Sequence, residues 1–186
     1  MKMYRMEADT MNEIIQNMVD RRSIRKFDPD RMPSKGDIEQ IITAGLYAPN
    51  GRGKQSSIIV AVTDKKTRDA ISEANRKIGG WDEGFDPFYG APVILIVLSD
   101  RTVPTHVYDG SLTIGNMLNA APSLGLGGIW IHRAKEEFDS DEGKKFLADH
   151  GITGEWEGIG YVAIGYADGE AAPAADRKDD RVIWVE

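Results

Sequence analysis

The chain has 186 residues, of which 41% are hydrophobic and 28% charged, and its formal net charge is −7. This size and composition predict a single globular domain over residues 1–186, and the acidic balance argues against a nucleic-acid-binding protein. The sequence contains no cysteine, and its three histidines do not pair at ligand spacing, so neither disulfides nor a transition-metal site are expected.

The first ten residues are polar and lack the apolar core of a signal peptide. The longest apolar stretch is far too short to cross a bilayer. We therefore expect a cytoplasmic protein without membrane association.

Hydrophobic periodicity, capping residues and turn residues predict an α+β domain in which helices and strands alternate. Thr10 with Glu13 has the pattern of a capping box, and Ser34 with Asp37 begins the second helix. The continuously apolar run 91–98 predicts a central strand that is buried on both faces. In chain order we predict helices near 10–20, 34–46, 64–78, 111–124 and 136–150, and strands at 58–62, 91–98, 127–131, 158–166 and 181–185.

Two of these elements indicate a homodimer. The helix over 111–124 carries no charge, so it must be buried nearly all round, either in the core or against another subunit. The final strand, 181–185, follows an Ala- and Pro-rich connector and has no neighbouring strand in sequence with which to pair.

The most unusual segment places four cations around one serine, directly after the first helix: Arg21-Arg22-Ser23-Ile24-Arg25-Lys26-Phe27. Guanidinium groups and a hydroxyl donor suit a phosphate monoester. Cations are also favoured at the negative end of a helix dipole, where they usually lie in solvent. Taken alone, the run favours this second interpretation.

Three further segments each have an ordinary structural interpretation when taken singly. The segment 48–55 has the composition of a solvated turn, 126–133 that of a core strand ending in an exposed His-Arg pair, and Arg177-Lys178 that of a solvated charge pair. The glycines of Gly125-Leu126-Gly127-Gly128 are not a dinucleotide-binding loop, because they follow a helix and open a strand.

Together these segments resemble the nitroreductase family of FMN-dependent NAD(P)H oxidoreductases, in family order from about Glu13 to Val185. The resemblance implies a nitroreductase-like α+β fold with a central mixed sheet flanked by helices. It also implies an intertwined homodimer in which the C-terminal strand is exchanged to the partner, with tightly bound FMN at the subunit interface. The matching segments are the arginine-serine run, 48–55, 109–116 with 124–131, and 160–166 with Arg177.

The resemblance assigns the FMN phosphate to Arg21, Arg22 and Ser23, with Arg177 closing over it. Arg25 is expected further along the ribityl chain, near flavin N1 and O2, where reduction leaves negative charge.

For the flavin ring, the resemblance implies contacts from the loop that contains Pro49, Asn50, Gly51 and Gln55, which would reach the flavin bound mainly by the other subunit. Ile131, His132 and Arg133 would pass beside the ring, where a backbone N–H can donate to N5. Asp109 would be a weaker contact to the ribityl chain or the pyrimidine. No catalytic residue is assigned with certainty, and His132 and Arg133 are the nearest candidates.

The implied activity is ping-pong hydride transfer from NAD(P)H through flavin N5 to a small acceptor such as a nitroaromatic or a quinone. Two departures affect this prediction: Gly53-Lys54-Gln55-Ser56-Ser57 replaces a family run that carries Asn and Trp, and Ala175 replaces a phosphate-binding Lys. The alternatives are a relative that performs reductive dehalogenation or consumes flavin, and an FMN-binding sensor or storage protein with little turnover.

Overall fold

The computed structural model describes residues 11–186. A single 3₁₀ turn, Gly51–Gly53, precedes the first strand. The helices and strands of this part of the chain are α1 (Glu13–Asp20), α2 (Lys35–Leu46), β1 (Ser57–Val62), α3 (Lys65–Gly79), β2 (Val93–Asp100), α4 (His106–Ser123), β3 (Gly127–Ile131), α5 (Ala134–Asp139), α6 (Asp141–Asp149) and β4 (Trp156–Gly165).

The four strands form an antiparallel sheet in the order β1-β2-β4-β3, and the predicted α+β architecture is confirmed. The sheet is not mixed, because every pair of neighbouring strands is antiparallel. The chain returns to the same end of the sheet between β1 and β2, where Val62 pairs with Ile94, and β4 lies between β2 and β3, which run in the same direction. Within residues 11–186, parallel pairing is confined to one isolated bridge between Ser23 and Gly128.

Strand β2 is buried on both faces, as its continuous apolar run predicts. The side chains of Ile94, Ile96 and Leu98 lie in the core that faces α3, α5 and α6. Those of Val93, Leu95 and Val97 lie in the opposite core, against α2 and α4. All six residues have 0% exposure, which corresponds to roughly 1.5–3 kcal/mol of hydrophobic stabilisation for each.

Local capping signals account for most helix starts. Ser34 Oγ accepts a hydrogen bond from Asp37 N–H at 3.1 Å, as predicted for α2. Thr10 lies outside the described residues, and α1 is capped instead by Asn12, whose side chain accepts from Ile14 N–H.

The helix predicted over 136–150 is two helices. It breaks at Ser140, whose extended backbone (ψ 161°) ends α5 and whose hydroxyl caps α6 by accepting from Gly143 N–H. The two helices meet closely, since a Cβ on Gly143 would lie only 2.0 Å from the carbonyl oxygen of Glu137.

Large apolar side chains remain exposed on one side of the single chain. The C-terminal segment 181–186 forms neither strand nor helix, and Ile183 and Val185 are 86% and 93% exposed. The exposed apolar residues of α1 and α4 are Ile14, Ile15, Met18, Val19, Val107, Tyr108 and Leu112. The exchange of a C-terminal strand remains a prediction. Within residues 11–186, no helix combines the length and the hydropathy that crossing a bilayer requires.

Candidate functional site

The arginine-serine run leaves α1 and passes along the start of β3. Ile24 N–H donates to Gly128 O at 3.3 Å, next to the Ser23–Gly128 bridge. Gly127 permits this approach, because a Cβ there would lie 2.6 Å from Cγ1 of Ile24. The backbone of Ser23 is therefore held against the edge of the sheet.

The cations of the run differ in their surroundings. Lys26 forms a solvent-exposed ion pair with Asp168 at 2.7 Å. Arg22 Nη1 donates to the carbonyls of Val19 and Arg21 at the end of α1, so for this residue the helix-end interpretation is confirmed. Across residues 11–186, no carboxylate lies within salt-bridge distance of Arg21, Arg22 or Arg25, which leaves their positive charge available to an anion.

Shallow grooves lie on either side of this run. One is lined by Arg21, Arg22 and Ile24 together with 126–128 of the following strand. The other lies between Ser23–Lys26 and the segment 168–172 that follows β4. The grooves therefore combine cations, a hydroxyl and backbone groups at one edge of the sheet, and Asp20, Asp168 and Glu170 also line them. The cations and the hydroxyl are the groups that suit a phosphorylated ligand.

The other end of β3 presents a peptide group with a fixed direction. Asn75 Nδ2 donates to the carbonyl of His132 at 2.9 Å, from the core side. A trans peptide points its N–H opposite to its carbonyl, so the N–H of Arg133 is directed away from Asn75. Among the residues that the structure describes, none provides a hydrogen-bond acceptor for this N–H.

Arg133 itself has a positive φ of 76°, an uncommon conformation for a non-glycine residue. Its guanidinium stacks over the ring of Trp81, 4.3 Å from the centroid. The side chain of His132 is exposed, whereas Ile131 is 6% exposed and contributes its side chain to the core. The N–H of Arg133 is the one whose direction is fixed by the bond between Asn75 and the His132 carbonyl.

The aromatic segment 81–89 divides between the core and this site. Phe88 is a core residue with 0% exposure, and its ring packs edge-on against Tyr161. Trp81 contacts Phe85, which in turn contacts Tyr89, and this small cluster adjoins Arg133. Trp81, Phe85 and Tyr89 therefore form an aromatic cluster beside Arg133, and Phe88 belongs to the core.

The loop 49–55 is anchored by Asp109. Gly51 N–H donates to Asp109 Oδ1 at 2.9 Å, and the hydroxyls of Ser56 and Thr105 donate to Oδ2 at 2.6 and 3.0 Å. Burial by itself would raise the pKa of Asp109, but these three donors outweigh it and hold the pKa below the usual value of 3.8. Asp109 is 3% exposed and both of its oxygens accept hydrogen bonds within the chain, so in this structure its carboxylate serves the loop; its contact with a ribityl chain remains a prediction.

The same loop carries backbone strain. Arg52 and Gln55 have positive φ angles of 56° and 48°, and Gln55 N–H donates to Asn50 Oδ1 at 2.9 Å. Gly51 approaches Thr105 so closely that a Cβ would lie 2.2 Å from its hydroxyl oxygen. Pro49 and Gln55 are exposed, so the loop presents polar groups and a rigid backbone to the surface.

The predicted site residues fall into two groups in one chain. The loop 49–55 leads into β1, which is one edge of the sheet, and the arginine-serine run lies along β3, at the opposite edge. Three inter-strand steps of about 4.8 Å separate these edges. Arg177 is in neither group: it is exposed, and its guanidinium donates to Ala175 O.

Sequence reasoning did not include Asn75, Glu137 or Tyr161, which lie beneath the His132–Arg133 peptide. Each is at most 6% exposed. The spacing of Ala134, Glu137 and Phe138 places Glu137 on the apolar face of its helix, and this is the signal that could have identified it.

Comparison with known proteins gives a consistent result. The model of the family described as the nitroreductase family matches residues 18–166. The FMN reductase [NAD(P)H] of Bacillus subtilis is 29% identical over an alignment of 143 residues that covers 65% of this chain and 54% of that protein; the chain thus spans only about half of that relative's length.

Two solved structures extend the similarity to the whole fold. A nitroreductase with bound FMN from Bacteroides fragilis has a TM-score of 0.84 and 27% identity, covering 95% of this chain and all of that chain. An FMN-dependent nitroreductase from Clostridium difficile has a TM-score of 0.81 and 25% identity, covering 94% and 99%.

Proposed function

The chain belongs to the nitroreductase family, and on that basis, together with the arrangement of the site, we propose that it is an FMN-dependent NAD(P)H oxidoreductase. The relatives that bind FMN or use NAD(P)H support the choice of cofactor and donor. When bound, FMN would supply the redox chemistry, accepting a hydride from the nicotinamide and passing the electrons to a nitroaromatic, a quinone or a similar small acceptor in ping-pong order.

The observation that carries the proposal is the arrangement of groups along β3. Cations without carboxylate partners lie beside Gly128 at its start, and the N–H of Arg133 lies just beyond its end. Five residues at about 3.3 Å each place these points at most about 16 Å apart. An arrangement with anion-binding groups at one end and a neutral donor at the other suits a mononucleotide that carries a phosphate and a ring.

The chain's own residues have distinct roles in this proposal. Arg21 and Ser23 hold the phosphate, and Arg22 adds charge while it stabilises the end of α1. Arg25 offers a guanidinium to the anionic side of the reduced ring, and the N–H of Arg133 donates to N5. The cluster of Trp81, Phe85 and Tyr89 limits the access of water to that end of the site.

A homodimer completes the site in this proposal. Pro49, Asn50 and Gly51 lie at the opposite edge of the sheet from the run in one chain, so a second chain must bring them to the same flavin. The segment 168–172 already lies beside Ser23–Lys26, and from there the exposed C-terminal segment can carry Arg177 and residues 181–185 across a two-fold axis.

The visible spectrum of the purified protein, recorded anaerobically before and after NADH or NADPH, tests the function. We expect a flavin spectrum that bleaches with at least one of the two donors and recovers when a quinone is added. A bound flavin that neither donor reduces would favour a sensor or storage protein. A colourless protein that FMN cannot reconstitute would contradict the proposal.

Alanine substitutions of single residues assigned to the FMN phosphate test the proposed phosphate site. We expect R21A and S23A to weaken FMN binding by about tenfold each, since a charge-assisted hydrogen bond contributes about 1.5 kcal/mol. K35A is the matched control, because it removes one exposed cation from α2, away from the run. Flavin titration by fluorescence quenching measures the three constants, and equal affinity in R21A, S23A and K35A would rule out this phosphate site.

A further inference from the structure

A buried polar cluster lies directly beneath the His132–Arg133 peptide. Its members come from three elements: Asn75 from α3, Glu137 from α5 and Tyr161 from β4. Tyr161 OH donates to Glu137 Oε2 at 2.5 Å, and Asn75 Nδ2 donates to the His132 carbonyl at 2.9 Å. The Asn75 amide is also close enough to Glu137 and Tyr161 to lower the pKa of both side chains. Asn75 and Tyr161 have 0% exposure, and Glu137 has 6%.

We propose that Asn75, Glu137 and Tyr161 are positioning residues that hold the His132–Arg133 peptide with its N–H directed at the flavin. This inference rests on the proposed function for the identity of the acceptor. The contacts within the cluster, however, are observed within the chain and do not depend on the ligand. None of the three side chains lines either of the grooves beside the arginine-serine run, so they act through the peptide and not on the ligand.

The geometry leaves Asn75 little freedom. The Oδ1 atom of its amide is buried and accepts no hydrogen bond from residues 11–186. Burying an unpaired acceptor costs free energy, and the hydrogen bond that the Nδ2 atom of the same amide donates offsets this cost. The hydrogen bond that the structure gives Nδ2 is the one to the carbonyl of His132, and the Glu137–Tyr161 pair lies on its other side, where the amide lowers the pKa of both side chains. Because Nδ2 carries two N–H donors, the position of the amide, and with it the direction of the Arg133 N–H, depends on how strongly the carbonyl and the pair each attract one of them.

The protonation of Glu137 changes this balance. An ionised carboxylate attracts one N–H of Asn75 Nδ2 strongly and draws the amide toward itself, which weakens the bond from the other N–H to the His132 carbonyl, whereas a neutral carboxyl leaves that bond undisturbed. A carbonyl that accepts a stronger bond polarises its peptide and makes the Arg133 N–H a better donor. Neutral Glu137 also places no buried anion near a reduced flavin.

The environment of Glu137 places this change near neutral pH. Burial raises the pKa of Glu137 to about 7, although Tyr161 and Asn75 donate to it and act in the opposite direction. Burial and the adjacent carboxylate raise the pKa of Tyr161 well above its ordinary value, so it remains a donor. The other groups nearby are the backbone of Gly143 in α6 and the exposed Glu136 on the same helix; no cation among the described residues contributes to the pKa of Glu137.

The amide resonance of Arg133, followed by NMR from pH 5.5 to 8.5 in the full chain without added flavin, tests the cluster. Imidazoles titrate in this range, so every variant is compared in an H132N background. We expect the amide shift to titrate near pH 7, to stop titrating in E137Q and to be unchanged in E136Q, the matched control one residue away. Titration that persists in E137Q would overturn the inference.

The Y161F variant provides a second test of the same cluster, which can be carried out even if E137Q does not fold. Removing the hydroxyl deletes a donor that lowers the pKa of Glu137, so the midpoint of the Arg133 titration should move to higher pH. A role limited to packing would leave the midpoint in place, and that result would contradict the proposal.

A second measurement links the cluster to the flavin. The phosphate of FMN itself ionises near pH 6, so E137Q measures the pH dependence that belongs to the ligand. We expect the ratio of the FMN affinity at pH 6 to that at pH 8 to be about fivefold larger in wild-type protein than in E137Q. If the Arg133 amide titrates as expected but FMN does not bind, the proposed function fails and the positioning cluster stands. If FMN binds and is reduced but the amide does not titrate, the cluster fails alone.

Discussion

Glu137 shows how much one buried carboxyl group can influence the stability of this protein. Its pKa is about 7 in the folded chain and 4.5 in the unfolded reference, so between these values the folded state holds a proton that the unfolded state releases. The free energy of unfolding should therefore decrease as the pH rises from 4.5 through 7. The difference of 2.5 pKa units corresponds to about 3 kcal/mol.

We predict that E137Q removes this dependence, because a glutamine has no proton to lose. Wild-type protein should lose about 3 kcal/mol of unfolding free energy between pH 4.5 and pH 8, and E137Q should lose much less. Urea denaturation at both pH values measures the difference, with E136Q as the control for a surface charge. The same slope in E137Q and wild type would show that Glu137 is ionised across the range.

Among the elements, the loop 49–55 depends on a residue that lies far from it in sequence. The first turn of α4 presents Asp109, and the carboxylate gathers Gly51, Ser56 and Thr105 around it. The loop keeps two non-glycine residues at positive φ, so its conformation needs such an external anchor. In the proposed dimer this anchor sets how the loop meets the partner's flavin.

We predict that D109N lowers the unfolding free energy at pH 7 by about 2–3 kcal/mol, because charge-assisted bonds are lost and an amide N–H faces a donor. D149N, which removes an exposed carboxylate from α6, is the control. The folded pKa of Asp109 lies below 3.8, so the contribution of Asp109 is complete above that value and is lost as the pH falls through the folded pKa. Equal stabilities of D109N and D149N would exclude the anchoring role.

Over the whole molecule, the apolar residues exposed on α1, α4 and the C-terminal segment are too many for an isolated domain. Helix α4, which carries no charge after Asp109, is buried along Thr113, Ile114 and Met117 but exposes Tyr108 and Leu112, at 71% and 46%. A second copy of the chain would cover these residues and give the segment 181–185 a partner.

We predict that W184D raises the dissociation constant of the dimer by at least about 30-fold. This factor corresponds to about 2 kcal/mol, which is typical for the loss of an important interface side chain. I78D is the control, since Ile78 is also exposed but lies on α3, which packs on the opposite face of the sheet. Analytical ultracentrifugation over a range of concentrations measures both constants. A W184D protein that remains dimeric would contradict the exchange of the C-terminal segment.

The sequence by itself determined the local elements and the family. The apolar run of β2 predicted a central strand because burial on both faces requires it, and Ser34 predicted the start of α2 because its hydroxyl satisfies a free N–H. The order of the motifs predicted the family, which the match over residues 18–166 confirms. These signals succeed because each acts within a few residues of the chain.

The tertiary structure alone decided which distant groups meet. Asn75 donates to His132 across 57 residues, and Gly51 donates to Asp109 across 58, and no local pattern encodes either pair. The division of the predicted helix at Ser140 and the antiparallel pairing of all neighbouring strands likewise depend on how the elements pack against one another. The burial of Glu137 exists only in the folded chain, because the low-dielectric surroundings that raise its pKa are assembled from three separate elements.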